Sequence, residues 1–144
     1  MSEQSNATAK SFFDAWNDGD LDAYDAIMTT DGVTHDAQDP FANINGPEGA
    51  KKLAEMYRSA FPDTHFAIEE QIGEGDFVAV RWTATGTNDG ELMGMPPNGK
   101  KVDLTGMSIF RFEDGKIAEG WSNWDTLGML QQLGVVPVAA PASA

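Results

Sequence analysis

The segment VDLTGMSIFRFEDGKIAEGWSNW, residues 102–124, decides the fold of this chain. Apolar and polar residues alternate along residues 102–112, which is the period-two pattern of a half-buried β-strand. The Asp-Gly pair at 114–115 is typical of a tight hairpin turn, and a second alternating run follows over residues 117–124. The sequence therefore predicts two antiparallel strands joined by a short turn.

Two further strands are predicted before this hairpin. Phe66, Ile68 and Ile72 alternate with more polar neighbours, and a second alternating run extends over residues 77–85. The glycine-rich segment 73–76 between the two runs predicts a turn. Because successive strands that are joined by turns form a meander, we expect a four-stranded antiparallel sheet.

Three amphipathic helices are predicted before the sheet. The second is short and is expected to be capped by Asp20, and the third begins at Pro47 and stops at Pro62. A short final helix is predicted from Asp125 to Leu133. The apolar stripes of the first two helices consist of Ala9, Phe12, Phe13 and Trp16, and of Leu21, Tyr24, Ile27 and Met28.

Helices followed by a strand meander indicate an α+β protein. The length of 144 residues suits one domain with a real core, and no internal repeat marks a second one. We expect a single domain over residues 1–134. The small-residue segment 135–144 is expected to be a flexible tail.

The composition excludes several classes of function. The chain has no cysteine, which excludes disulfides, a thiolate nucleophile and a cysteine zinc site. With 23 acidic and nine basic residues, the net charge is −14, which disfavours binding to nucleic acid or to an anionic membrane. Neither a signal peptide nor a membrane-spanning run is visible, so we expect a cytoplasmic protein.

The even-numbered strand positions share an apolar face with several gaps. Small side chains at Gly106, Ser108, Gly120 and Ser122 lie among large aromatic ones. Two interpretations are open: the missing volume forms a pocket, or bulky neighbours fill it by close packing. We expect a pocket for a small hydrophobic molecule. Its predicted substrate-binding walls are Trp82, Phe110 and Trp124 on the strands, with Tyr57 and Trp16 on the helices.

The odd-numbered face is also partly apolar. It carries Phe77, Met107, Ile109, Ile117 and Trp121 beside charged residues. An apolar sheet face that is open to solvent usually meets a partner. Because two-fold homodimers are the commonest assemblies, we expect a homodimer through the open face of the sheet.

Four segments together resemble one family. Phe-Pro-Asp at 61–63, GMPPNGK at 94–100, DGKI at 114–117 and WDTLGMLQQLG at 124–134 are similar to segments of SnoaL-like polyketide cyclases. This resemblance covers nearly the whole chain to Gly134. It implies the cone-shaped α+β fold of the nuclear transport factor 2-like, or ketosteroid isomerase-like, superfamily, in which helices pack on a strongly bent antiparallel sheet and enclose a pocket.

The resemblance also implies a mechanism, from which this sequence departs. In the aldol-type cyclases of the family, an aspartate on the last strand is the general acid/base and a histidine on the preceding strand assists it. The closing motif, aligned without gaps, places Ser122 and Ser108 at these two positions. A serine hydroxyl does not titrate near neutral pH, so it cannot replace the aspartate as a proton carrier.

Two other side chains are candidates for proton transfer. His35 follows the second predicted helix, in a segment that reaches the cavity mouth in this fold, and Asp36 or Asp39 is a candidate to orient its imidazole. The alternative is a histidine on a surface loop. Asp125 is the second candidate, although N-capping of the final helix also explains it. His35, Asp36 and Asp39 provide only one histidine and two loop carboxylates, which are too few ligands to predict a metal site. We therefore expect neither a metal nor a cofactor.

The binding residues have plainer alternatives too. Ser108 and Ser122 are candidates to hold a substrate carbonyl or a water, or are satisfied core hydroxyls. The aromatic rings of Trp82, Trp124 and Tyr57 suit a cavity wall and a core equally. Sequence alone leaves these alternatives open.

Two functions from different classes follow from these residues. The first is a cofactor-free enzyme that acts on a hydrophobic carbonyl compound by proton transfer, as a cyclase, isomerase or dehydratase. In this enzyme, His35 and Asp125 would transfer protons, and Ser122 and Ser108 would bind the oxygen atom of the substrate. The second is a non-catalytic module that holds an apolar ligand in the same cavity. The absence of the family aspartate favours the second function, whereas His35 and Asp125 favour the first.

Overall fold

The computed structural model describes residues 2–138, and the elements of this part of the chain are helices followed by one sheet. The helices are α1 (Ser2–Asp18), α2 (Tyr24–Ile27), α3 (Pro47–Ala60) and α4 (Thr126–Gln132), with a 3-10 turn at Leu21–Ala23 before α2. The strands are β1 (Met28–His35), β2 (His65–Glu74), β3 (Phe77–Thr87), β4 (Lys101–Glu113) and β5 (Lys116–Trp124). Across residues 2–138, no helix has the length and apolar character needed to cross a membrane.

The strands form one sheet in the order β1-β5-β4-β3-β2. Strands β2 to β5 pair successively and antiparallel, which confirms the predicted meander and the α+β class. Two of the connections are tight turns, whereas residues 88–100 form a longer loop between β3 and β4. The sheet therefore presents one continuous inner face to the helices.

A fifth strand, β1, was not predicted from the sequence. It pairs in parallel with β5, with Val33 opposite Glu119, Thr34 opposite Gly120 and His35 opposite Trp121. The segment MTTDGVTH has little apolar alternation because β1 is an edge strand with most of its residues at least partly exposed. The β-branched threonines and valine of this segment favour a strand and are the one sequence feature that could have predicted β1.

The short elements before β1 also differ from the prediction. The predicted second helix is a 3-10 turn followed by the four-residue α2, and Met28 already belongs to β1. Asp20 makes no capping hydrogen bond with its side chain, so that cap prediction is wrong. By contrast, Pro47 lies in the first turn of α3, where its missing N–H is not needed.

The C-terminal segment continues a short way beyond α4. The backbone N–H groups of Val135 and Val136 both donate to the carbonyl oxygen of Leu130. Of the predicted flexible tail, residues 135–144, positions 139–144 lie outside the residues that the structure describes.

Two β-bulges change which side chains face the core. One lies between Ile68 and Glu70, and the other lies between Arg111 and Phe112 in the pairing of β4 with β5. Each bulge shifts the alternation by one residue. Consequently Ile72 is 67% exposed, although we expected it inside, and Ile117 is only 2% exposed, although we expected it on the outer face.

The core lies between the inner sheet face and helices α1 and α3. The even-numbered residues of β3 and β4 are buried, as the alternation predicts. The indole of Trp82 lies across Gly106, where an added Cβ would clash with the ring. Close packing therefore fills the gap at Gly106, and that part of the predicted pocket is core.

The clash at Gly106 predicts a large difference between two glycine variants. Gly106→Ala should lower the free energy of unfolding by about 1–3 kcal/mol, because the new methyl group displaces Trp82. Gly120→Ala is the matched control, since its Cβ would meet Cδ1 of Phe110 at an ordinary 3.4 Å. Urea unfolding followed by tryptophan fluorescence measures both. Equal losses in the two variants would contradict the packing described here.

Candidate active site

A cavity of about 130 Å³ lies between the inner sheet face and the helices. An apolar cavity of about 150 Å³ holds one benzene ring, so the enclosed part of this partly open cavity takes about one ring of a ligand. All six residues predicted as substrate-binding lie in its wall. These are Trp16, Tyr57, Trp82, Ser108, Phe110 and Trp124.

Aromatic rings form one end of the cavity. The rings of Trp16 and Tyr57 stack with centroids 6.4 Å apart and an interplanar angle of 30°. The ring of Trp124 meets Tyr57 edge-on, with centroids 5.9 Å apart. Such offset and edge-on contacts hold the rings rigidly, so this wall is a preformed apolar surface.

Two serine hydroxyls connect the core to the cavity. The indole Nε1 of Trp82 donates to Oγ of Ser108 over 3.1 Å, and Oγ of Ser108 lies 2.8 Å from Oγ of Ser122. Ser108 is only 4% exposed, and either hydroxyl of this pair can be the donor. If the Ser108 proton goes to Ser122, the proton of Ser122 is free to donate to an oxygen in the cavity.

A carboxyl group lies at the same end of the cavity, on Asp36. β1 ends at His35, which pairs with Trp121, and the next residue, Asp36, lines the same cavity as Ser122 and Trp124. The backbone N–H of Gln38 donates to Oδ1 of Asp36 over 2.9 Å. Burial raises the pKa of Asp36 above its ordinary value, and hydrogen bonds from Gln38 and Trp124 partly offset this rise.

Asp39 and Tyr57 share this polar end. The backbone N–H of Phe41 donates to Oδ1 of Asp39 over 2.7 Å. Burial raises the pKa of Asp39, and the negative charge of Asp36 adds to that effect. Burial and the two carboxylates also raise the pKa of Tyr57, so its phenol stays protonated at neutral pH.

His35 lies away from the cavity, on the outer face of the sheet. Its Nε2 is 2.6 Å from Oε2 of Glu119, and its ring stacks on Trp121 with centroids 5.2 Å apart. The expected place of His35 was the cavity mouth, because without apolar alternation this segment resembles a loop. Strand alternation instead turns His35 outward and leaves its neighbours Thr34 and Asp36 in the cavity wall.

Asp125 also lies outside the cavity wall. It is the N-cap of α4, and its Oδ1 accepts a hydrogen bond of 2.8 Å from the backbone N–H of Gly128. The observed contact of Asp125 is therefore the N-cap of α4, the alternative to a role in proton transfer. Of the three residues predicted as catalytic, only Ser122 lines the cavity.

The donor groups do not form a metal site in the part of the chain that the structure describes. Within residues 2–138, no group of three or more histidine and acidic side chains is arranged to hold a metal ion. The polar end of the cavity offers instead two carboxyl groups, a phenol and a serine hydroxyl. This set suits the transfer of protons and the binding of an oxygen atom.

The burial of Asp36 predicts a stability gain when its charge is removed. Because its pKa is raised on folding, wild-type stability falls as pH rises through the raised value. Asp36→Asn should therefore unfold at a higher temperature than wild type at pH 7, and this difference should shrink as pH falls towards 4. Asp18→Asn, at an exposed position outside the cavity wall, is the control. Calorimetry that finds Asp36→Asn less stable than wild type at pH 7 would contradict the unfavourable burial.

Comparison with known proteins places this geometry in a family. The model of the SnoaL-like polyketide cyclase family matches residues 7–133. The chain is 26% identical over 122 residues to aklanonic acid methyl ester cyclase DnrD of Streptomyces peucetius, which covers 84% of each protein. Two solved structures are also similar. AclR from Streptomyces galilaeus, a proposed hydroxylase, is 30% identical with a TM-score of 0.84, and the match covers 97% of this chain and 87% of AclR. IdmH from Streptomyces antibioticus, a proposed polyketide cyclase, is 33% identical with a TM-score of 0.78, and the match covers 91% of this chain and 99% of IdmH.

The family match spans nearly all of the described helices and strands, and it includes residues 124–133 of the closing motif, one of the four segments that carried the resemblance. The fold is accordingly the nuclear transport factor 2-like cone that the resemblance implied. The chain belongs to the SnoaL-like polyketide cyclase family.

Proposed function

We propose that this protein is a cofactor-free enzyme that binds a small hydrophobic carbonyl compound and transfers a proton with the carboxyl group of Asp36. Cyclisation, isomerisation and dehydration all begin with such a step. The family supports binding of a small molecule and cyclase activity. The relative DnrD, named for the cyclisation of a methyl ester, supports a carbonyl substrate.

The observation that carries this proposal is a buried carboxyl group, Asp36, in the same cavity wall as Ser122. The resemblance implies an acid on the last strand, where this chain has Ser122. Asp36 follows directly after β1, which pairs in parallel with that last strand, so this chain supplies a carboxyl group to the cavity from a different segment. Asp36 lines the cavity and its pKa is raised by burial, which moves it towards the range of a working general acid/base.

In the proposed step, the Asp36 carboxylate removes a proton from the carbon next to the substrate carbonyl. The electron pair of that C–H bond forms the enolate double bond, and the carbonyl electron pair moves onto oxygen. The hydroxyl of Ser122 donates a hydrogen bond to this oxygen, with Ser108 and Trp82 behind it. The enolate carbon then attacks the carbon of a second carbonyl group, whose π electron pair moves onto its oxygen and takes the proton from Asp36. Alternatively, the enolate takes that proton back at another position.

Under this proposal the predicted roles of His35 and Asp125 change. His35 contacts Glu119 and Trp121 on the outer face, and Asp125 caps α4. Neither side chain lies where a substrate in the cavity would meet it. We therefore propose that neither takes part in the chemistry.

A non-catalytic binding module remains the second candidate. The observation in its favour is that hydroxyl groups, Ser108 and Ser122, occupy the two positions where the resemblance implies a histidine and an aspartate. In this case the cavity holds an apolar ligand and Asp36 makes no contribution to a reaction.

Proton exchange from a carbon acid separates the two candidates without knowledge of the natural substrate. The probe is 2-tetralone, a two-ring ketone whose α-protons exchange in D₂O and are followed by ¹H NMR. Wild type should accelerate the exchange above the buffer rate. Asp36→Asn should lower the accelerated rate by about 100-fold or more, because it removes the base and keeps the shape.

Asp125→Ser is the matched control, since serine also caps helices and the residue lies outside the cavity. It should retain the wild-type exchange rate. Wild-type protein that binds 2-tetralone without accelerating exchange would establish the binding module instead. Full activity of Asp36→Asn would remove Asp36 from the mechanism.

We also propose that two copies associate through the outer face of the sheet. Exposed apolar side chains on that face support this: Ile72 is 67% exposed, Phe77 46%, Met107 60% and Ile109 43%. Association of two such faces would remove this apolar surface from water. The net charge of −14 supports the prediction that neither nucleic acid nor an anionic membrane is a partner. The cytoplasmic location stays a prediction from the sequence.

A pair of methionine variants tests the dimer. Wild type should sediment as a dimer at micromolar concentration, and Met107→Glu should sediment as a monomer because it introduces a charge into the interface. Met93→Glu is the control, since Met93 is 55% exposed but lies in the loop between β3 and β4. A wild-type monomer under these conditions would refute the dimer.

A further inference from the structure

The C-terminal end of β1 is held by a short stretch of backbone pairing. In the described sheet, β1 lies at the edge and pairs with β5. The register of this pairing is interrupted between Met28 and Val33, and it resumes over Val33, Thr34 and His35. Val33 is 40% exposed, so its side chain buries little apolar surface at this end. Side-chain contacts therefore matter for keeping the end of β1 in register.

The side chain of His35 makes two such contacts, both with β5. Its Nε2 lies 2.6 Å from Oε2 of Glu119. Its ring stacks on the indole of Trp121, with centroids 5.2 Å apart and an interplanar angle of 14°. Glu119 and Trp121 are two positions apart on β5, so one side chain of β1 spans both of them. We call these two contacts of His35, with Glu119 and with Trp121, the β1 clamp.

The partners of His35 are themselves fixed to the central strands. Oε1 of Glu119 accepts a hydrogen bond of 3.1 Å from Nε of Arg111 on β4. The ring of Phe77 on β3 contacts that of Trp121, with centroids 6.4 Å apart. Glu119 also belongs to the cavity wall, but both of its carboxylate oxygens are engaged by His35 and Arg111. The β1 clamp thus ties the end of β1 to three other strands of the sheet.

The next residue, Asp36, lies in the cavity wall although its charged form favours water. Burial raises the pKa of its carboxyl group, so the carboxylate gains free energy when it reaches solvent. The carboxyl group of Asp39 is close enough for like-charge repulsion, and the phenol of Tyr57 lies near both. On the far side, the backbone N–H of Asp39 donates to the backbone oxygen of Asp36 over 3.1 Å. The position of Asp36 therefore depends on how firmly the preceding residue, His35, is held.

We infer that His35 is a positioning residue, which holds the end of β1 on β5 through Glu119 and Trp121 and thereby keeps the carboxyl group of Asp36 in the cavity. His35 contacts no substrate in this role. The inference rests on the proposed function for the importance of Asp36 as the base. It adds the side chain that keeps this base in place from the opposite face of the sheet.

The test follows the carboxyl group of Asp36 in His35→Ala, which removes both contacts of the β1 clamp. The pKa of Asp36 is measured by NMR on protein labelled with ¹³C at the aspartate carboxyl carbons, and Asp36→Asn assigns its resonance. In His35→Ala this pKa should fall towards the ordinary aspartate value, because the released carboxyl group gains hydration. Loss of a positive charge on His35 would by itself raise the pKa, so the direction of the change identifies its cause.

The second histidine of the chain offers a matched control. His65 is exposed on β2 and lies outside the cavity wall, so His65→Ala should leave the pKa of Asp36 at its wild-type value. His35→Gln offers an amide N–H to Glu119 and should give a pKa closer to wild type than to His35→Ala. Should His35→Ala not fold, His35→Phe takes its place, since it keeps the stack on Trp121 and removes the bond to Glu119.

The exchange of 2-tetralone protons supplies a second readout. His35→Ala should lower the accelerated rate by about tenfold or more, because a displaced carboxylate is misaligned with the substrate and is a weaker base. His65→Ala should retain the wild-type rate.

The outcomes separate this inference from the proposed function. If the pKa of Asp36 stays unchanged or rises in His35→Ala, the positioning role is refuted whatever the exchange rate does. An equal fall in His65→Ala would show a general loosening of the fold, which also refutes it. If the pKa falls as expected but wild type does not accelerate exchange, the positioning is confirmed and the proposed chemistry is contradicted.

Discussion

The parallel pairing of β1 with β5 is the constraint on which the site depends. Its register sets His35 opposite Trp121, and the next residue, Asp36, lies in the cavity wall together with Ser122. A register shifted by one residue would turn His35 into the cavity and Asp36 out of it, because successive side chains on a strand point to opposite faces. The chemistry available at this end of the cavity is thus decided by backbone pairing at the edge of the sheet.

The sequence predicted the centre of the sheet better than its edges. Alternation identified β3 and β4 because their inner residues are buried in an unbroken period of two, and it placed Trp82, Phe110 and Ser108 on the cavity face. It failed where a bulge inserts one residue, as at Ile117, since a bulge leaves no mark in composition. The polar edge strand β1 was missed for lack of apolar alternation, and without its register His35 rather than Asp36 was expected to face the cavity.

The same site illustrates why the fold alone does not define the reaction. AclR, with a TM-score of 0.84 to this chain, is a proposed hydroxylase, whereas IdmH is a proposed polyketide cyclase. Function in this scaffold follows from the few polar groups in an otherwise aromatic cavity. Here these include the carboxyl groups of Asp36, Asp39 and Glu119, the last of them bonded to Arg111 and His35, and a serine pair backed by Trp82. Burial raises the pKa of Asp36 and Asp39, so the charged form of each costs stability.

A crystal structure of the protein with 2-tetralone bound tests the central claim most directly, because it shows which groups a carbonyl ligand meets. The account predicts the ketone oxygen within hydrogen-bonding distance of Oγ of Ser122. It also predicts the carboxylate of Asp36 about 3–3.5 Å from the acidic α-carbon. A ligand bound outside the cavity, or one whose α-carbon lies closer to His35 or Asp125 than to Asp36, would contradict it.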